Sequence, residues 1–258
     1  MAINIQIIGY TLILIRLSCI VMTAPVFGYK GVPIIIKISL TGLLAFILFP
    51  LLVEQLPVYL QTGPLDGLLL AIAISREILV GIIIGFMSNM VFWVITMGAG
   101  LASLHMGFQT ASLFNPFAEV TTSAVEQFTS ILALGLFLSI NGHHLLLQAF
   151  KYSFTVVPIG TFVISEFTVE HIVNISGYLF LTAVQFSMPI MGVLLLMDIG
   201  MGLVARAVPQ IQVFFLGLPL KIGVGLLSFA LSLTFILPLL DNLTVHMIDS
   251  IIQLISAK

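Results

Sequence analysis

Residues 67–97 read GLLLAIAISREILVGIIIGFMSNMVFWVITM, an apolar run interrupted by a single ionisable pair, Arg76-Glu77. About 20 mainly apolar residues are enough for a helix to cross a bilayer, and this run is longer. It does not alternate, and it is too long and continuous for a strand. The run therefore decides the fold class. A chain that carries it is helical, with one side against lipid or against other apolar protein.

The rest of the chain has the same character. Of 258 residues, 60% are hydrophobic and 7% are Asp, Glu, Lys or Arg, and the mean hydropathy is +1.26. Soluble domains use roughly 25% charged residues, so this chain cannot cover its surface against water by itself. Further runs comparable to 67–97 lie at about 7–27, 33–53, 128–150, 175–197 and 212–240, giving six candidate spans and an all-α, polytopic membrane protein. The third and sixth are too long for an upright span and imply tilt, a kink or extension beyond the bilayer. Pro189 in the fifth and Pro219 and Pro238 in the sixth each remove a helix hydrogen bond. The N-terminus, MAINIQIIGYTLILI, lacks the basic start and cleavage site of a secretory signal, so the first run is expected to stay.

Charge is thin and uneven. The net charge is −2, with no basic run for nucleic acid. Lys30, Lys37 and Arg206 mark the first and fifth connections as cytoplasmic by the positive-inside rule, with both termini outside, whereas Lys151 argues the other way. Arg16, Lys37, Arg76, Glu77, Asp198, Arg206 and Lys221 lie in or beside apolar runs, where an ionisable group at the bilayer centre costs about 2.5–3.5 kcal/mol. Lys37 and Lys221 stand near helix starts and are read as snorkelling. Arg76 and Glu77 point in different directions on a helix, so each needs its own partner, in this chain or on another subunit. Arg206 follows a Gly-rich stretch, Asp198-Ile-Gly-Met-Gly, read as a turn that lets it pair with Asp198. Gly81 and Gly85 form a G-xxx-G pair suited to close helix packing, although 21 glycines also produce such a spacing by chance.

Residues 98–127, GAGLASLHMGFQTASLFNPFAEVTTSAVEQ, differ from their surroundings: rich in Gly, Ser, Thr and Gln, broken at Asn115-Pro116, and free of Lys and Arg. A long loop in a compact membrane protein is usually functional, and backbone at membrane depth survives only where protein buries it or where it lines a cavity. With Met106, Phe108, Phe114 and Phe117 as deformable apolar bulk, the segment reads as a re-entrant or plug-like element, with an ordinary surface loop as the alternative.

Catalysis has no motif to rest on. The phosphate loop, H-E-xx-H and G-x-S-x-G are all missing. One cysteine, Cys19, offers neither disulfide nor cysteine cluster. Of the five histidines only His143 and His144 are close in sequence. No catalytic, cofactor-binding or metal-binding residue is expected.

Ordered blocks then point to a family: P-V-F-G-Y at 25–29, R-E-I-L-V-G at 76–81, G-I-I-I-G-F at 81–86, A-G-L-A-S-L-H-M-G-F at 99–108 and N-P at 115–116. They continue with N-G-H-H-L-L-L at 141–147, A-R-A-V-P-Q-I-Q-V-F at 205–214 and L-G-L-P-L-K at 216–221. The chain resembles the FliR family of flagellar type III export-gate membrane proteins, with which injectisome homologues share the fold. The resemblance implies a non-catalytic subunit, without cofactor, of a channel passing unfolded flagellar proteins across the bacterial inner membrane at the flagellar basal body. It implies FliP-like and FliQ-like partner subunits, an FlhB-like protein at the cytoplasmic mouth, and energy from a partner ATPase and the membrane potential. It also implies a FliP-like part, 1–174, joined to a FliQ-like part, 175–258. The family's plug loop matches Met106, Gly107 and Phe108 through Phe114, Asn115, Pro116 and Phe117. Asn115 stands where relatives often carry an acid, and His105 where Gln is common. Arg76, Glu77, Asp198 and Arg206 are read as intramembrane and assembly charges. The rivals are an injectisome gate subunit and a secondary transporter, and the latter would show two matching halves, which this sequence lacks.

Overall fold

Proline and glycine punctuate the helices. Helix α1 (Ala2–Thr23) stops just before Pro25, whose ring disfavours helical backbone in the residue ahead of it. Helix α2 (Ile34–Leu52) starts directly after Pro33, where a missing N–H costs nothing. Then follow α3 (Gly67–Met106), α4 (Ala124–Ser139), α5 (Gly142–Val156), α6 (Glu166–Ala207), α7 (Val213–Ser232), a 3-10 turn (Leu233–Phe235) and α8 (Ile236–Ser256). The computed structural model describes residues 2–29, 31–52, 67–108, 122–208 and 213–256, and no strand occurs among them. The protein is all-α, as its composition requires.

Several boundaries differ from the sequence expectation. Residues 98–106, read as the start of a loop, continue α3. Their small side chains form a packing face: Ala99, Ala102 and Ser103 are fully buried, and a Cβ on Gly98 would lie 2.6 Å from Phe186 Cδ1 and 2.9 Å from the Ala183 carbonyl oxygen. The helix ends in a Schellman turn, with Gly107 at φ 88°, Gly107 N–H donating to Leu104 O at 3.1 Å and Phe108 N–H to Ser103 O at 3.2 Å. The following helix opens on Ser123 as its N-cap. Ser123 Oγ accepts from Glu126 N–H at 3.1 Å and donates to Glu126 Oε1 at 3.1 Å. The expected fourth span, 128–150, is broken into α4 and α5 at Asn141, which adopts φ 59°. Asn is among the few non-glycine residues that tolerate this region.

The expected sixth span, 212–240, is interrupted as well. Pro238 has no N–H to donate to the carbonyl of residue 234, and the 3-10 turn sits there. Beyond it α8 runs on to Ser256 on an inward face of Ile236, Leu240, Leu243, Met247, Ile251 and Leu254. Pro189, by contrast, lies inside an unbroken α6 of 42 residues.

By packing, the chain forms two units, one from residues 1–90, 141–175 and 244–258, the other from 91–140 and 176–243. These are interleaved along the chain and do not bear on the linear division expected at residue 175. The first unit is centred on Leu12, Ile13, Leu17, Ala45, Phe154 and Ile159. The second is centred on Ala102, Met106, Val125, Ile190, Leu194 and Phe229. Outward faces are apolar in both: Ile35 and Phe46 are 72% exposed, Leu196 70% and Phe215 71%. Water does not tolerate so much exposed apolar surface on a soluble monomer. Five helical runs, 6–23, 34–52, 67–106, 166–207 and 215–254, are long and apolar enough to cross a membrane, and α4 with α5 would make a sixth if taken as one span.

Candidate functional site

Every fourth residue of α3 from Glu77 to Asn89 meets α1. Glu77 binds Arg16 in a two-pronged pair, Nε to Oε2 at 2.5 Å and Nη2 to Oε1 at 2.9 Å, with both side chains wholly buried. One turn on, a Cβ at Gly81 would stand 2.5 Å from Cys19 Cβ and 2.8 Å from the Arg16 carbonyl oxygen. One further turn on, a Cβ at Gly85 would overlap the side chain of Thr23. Asn89 closes the seam by donating its amide to the carbonyls of Thr23 and Gly85. Spacing of four residues stacks side chains on one helical face, so glycine at two of four levels lets the helices approach closely enough for the ion pair to form.

The same pair holds the chain after α5. Arg16 Nη1 donates to Val157 O at 3.0 Å and Ser153 O at 3.2 Å, and its guanidinium lies 4.4 Å above the Phe154 ring. Glu77 Oε1 also accepts Gly160 N–H at 2.7 Å, while Arg76 Nη1 donates to Gly160 O at 2.9 Å. The adjacent charges, which the sequence showed to need separate partners, thus hold the two sides of one glycine, itself at φ 74°. Their partners are within this chain. A buried arginine with four of its five N–H donors bonded and its charge matched by the carboxylate across from it suits a structural clamp and not a reacting group.

In the second unit Asp198 pairs with Lys221, Nζ to Oδ1 at 2.6 Å, both partly exposed. This corrects two expectations. The stretch 198–202 is helical, so Asp198 and Arg206 stand about 12 Å apart along one axis. Arg206 is exposed near the end of α6 and makes no ion pair among the described residues, and Lys221 is paired instead of snorkelling. Lys37 does not snorkel either, being 9% exposed with Nζ donating to Gly28 O at 3.0 Å. Removing either Asp198 or Lys221 leaves a lone charge on an apolar face. Asp198→Leu and Lys221→Leu should each lower the amount of membrane-inserted protein on immunoblots, and the double substitution should restore it.

Of the residues read as a plug, Met106 is fully buried, Gly107 forms the helix cap, and Phe108 follows it. Phe114, Asn115, Pro116 and Phe117 lie outside the described residues. Phe108 lines a cavity of about 330 Å³ together with Val125, Phe128, Leu226, Phe229 and Leu233. That lining has no titratable group. Among the described residues no cluster of three or more His, Cys, Asp or Glu could hold a metal.

Comparison with known proteins places the chain. The pattern of the family described as bacterial export proteins, family 1, matches residues 7–247. The chain belongs to this family. It is similar to the flagellar biosynthetic protein FliR of Bacillus subtilis strain 168, 30% identical over 257 residues covering 97% of this chain and 96% of that protein. The FliR protein of Caulobacter vibrioides is 30% identical over 230 residues, 89% of this chain and 90% of the relative. That of Escherichia coli K12 is 27% identical over 244 residues, 94% and 91%. The resemblance carried by the sequence blocks therefore extends along nearly the whole chain. The Arg16–Glu77 clamp of this FliR-family protein links positions 61 residues apart, and no local periodicity joins them. Both charges stand out in the sequence, but their pairing does not.

Proposed function

We propose that this protein is a non-catalytic subunit of the flagellar type III protein export gate in the bacterial inner membrane, at the flagellar basal body. The observation that carries the reading is the likeness to export proteins along residues 7–247, among them relatives named flagellar biosynthetic protein FliR. The geometry supports it in two ways. Inward charge is spent on structure: the one fully buried ion pair among the described residues is a clamp. Outward faces are apolar, as a subunit surrounded by lipid and sister subunits requires. FliP-like and FliQ-like subunits would cover part of those faces, with residues 1–174 corresponding to the former and 175–258 to the latter. An FlhB-like protein would sit at the cytoplasmic side, and unfolded polypeptides would pass through.

In this reading the chain after the α3 cap, residues 109–117, helps seal the resting channel. The cap itself (Met106, Gly107, Phe108) belongs to the packed structure and should be spared by any test. Deleting 109–117 in the native chromosomal copy should make cells permeable to small solutes while flagellar export continues. Measurement of solute leak in such cells decides it. Unchanged permeability, with the altered protein present in the complex, would overturn the plug.

A further inference from the structure

Lys37 is the exception to the way this protein treats inward charge. Two cations are buried among the described residues, Arg16 and Lys37. Arg16 faces a carboxylate, whereas Lys37 makes no ion pair among the described residues. It is 9% exposed, and its ammonium uses one of three donors on Gly28 O at 3.0 Å. That carbonyl is a neutral acceptor in a tight turn, where Gly28 N–H donates to Ala24 O at 2.8 Å. It satisfies one hydrogen bond and leaves the charge uncompensated, and buried charges are otherwise paired.

The position of Lys37 makes this worse. It lies in the first turn of α2, which holds no acid, and a helix N-terminus itself carries about +0.5 of an elementary charge. The amides of Ile36 and Lys37 donate to Pro33 O, while those of Ile34 and Ile35 make no hydrogen bond among the described residues. A buried ammonium and open amides at one helix end together call for an anion. The connection 53–66, with Glu54 and Asp66, joins helix ends remote from this point. Helix α2 is about 28 Å long, and α3 starts about 33 Å ahead of Asn89, the residue that meets Thr23 beside the turn.

We propose that the Lys37 ammonium receives the carboxylate of an Asp or Glu side chain from a sister subunit, docked at the N-terminal end of α2. Ile34, Ile35, Ile36 and Ile38, each more than half exposed, supply the apolar area that such a subunit covers. The enclosure of Lys37 selects the occupant: a carboxylate on a slender stem reaches the ammonium, whereas a lipid phosphate, substituted on both sides, does not. This inference rests on the assembly reading above and adds one charged contact to it.

Carbodiimide coupling tests it on the wild-type complex in native membranes, because the reagent links an amine to a carboxylate that touches it. Mass spectrometry of the purified particle should find an amide between Lys37 and an Asp or Glu of a co-purifying subunit. Coupling of Lys37 to Glu54, Asp66 or another acid of this chain overturns the proposal. Lys37→Met keeps the apolar stem, and Lys37→Arg keeps the charge. At equal membrane levels of this chain, Lys37→Met should recover about tenfold less of the partner, and Lys37→Arg close to the wild-type amount. If Lys37→Met does not accumulate, neutralising the coupled acid on the partner gives the same reading with this chain intact. Unchanged partner recovery in Lys37→Met removes this inference alone. So does a Lys37→Met particle that keeps its subunits but loses a bound anionic phospholipid in native mass spectrometry, which would assign the site to lipid. A wild-type particle without any co-purifying subunit would remove the assembly reading and this inference with it.

Discussion

Glu77→Ala should prevent the protein from accumulating in the membrane. The substitution leaves the Arg16 guanidinium fully buried with two carbonyls and a phenyl face but no counter-charge. Breaking a buried pair from one side costs about 3–5 kcal/mol, and whole domains are stable by only about 5–15 kcal/mol. The damage spreads, because Glu77 also holds Gly160 N–H. Glu77→Gln keeps an acceptor oxygen and should be intermediate. Replacing both members with apolar residues, Arg16→Met with Glu77→Leu, should recover much of the loss, since hydrophobic replacements of buried pairs are often neutral or better. Steady-state membrane levels and thermal unfolding in detergent would report the order wild type, double variant, Glu77→Gln, Glu77→Ala. A Glu77→Ala protein with wild-type level and melting temperature would show that the clamp is unimportant.

The second large effect lies two turns along the same seam. Adding side-chain volume to a tight contact typically costs about 1–3 kcal/mol, occasionally more, and both glycines of the seam leave less room than a methyl group requires. The two should differ in how they can be rescued. At Gly85 the obstruction is the Thr23 side chain, so Gly85→Ala should be relieved by Thr23→Gly. At Gly81 the Arg16 carbonyl oxygen is 2.8 Å from the new Cβ, and backbone cannot be trimmed away. Gly81→Ala should therefore resist correction by Cys19→Gly. Thermal unfolding of the four proteins measures this, and equal rescue at both positions would contradict the packing described.

How much of this could be read from the residues depends on the range of the interaction. Helix type and membrane character follow from composition and run length, which need no partner to interpret, and the structure agrees. The Gly81–Gly85 pair was visible because its spacing is local. The Arg16–Glu77 pairing was not, because the positions lie 61 residues apart and only the fold brings them together. Residues 98–106 were misread for a chemical reason. Glycine, alanine and serine signal a loop in water, but in a close-packed helical protein they are the side chains that let helices touch. The same mistake made a turn of 198–202 and gave Asp198 the wrong partner. Helix α8 was cut short at 240 because Asp241, Asn242, His246 and Asp249 lower the hydropathy of its outward side, whereas its inward side keeps helical period to Leu254.

The central claim is that this chain works only as part of an assembly that covers its apolar exterior. An affinity-tagged copy, expressed from its native locus and extracted in mild detergent, tests it most directly through the composition and mass of the purified particle. The account predicts that FliP-like and FliQ-like subunits co-purify in fixed ratio, in a particle several times the mass of this chain. Recovery of the tagged chain alone, folded and monodisperse from flagellated cells, would contradict it.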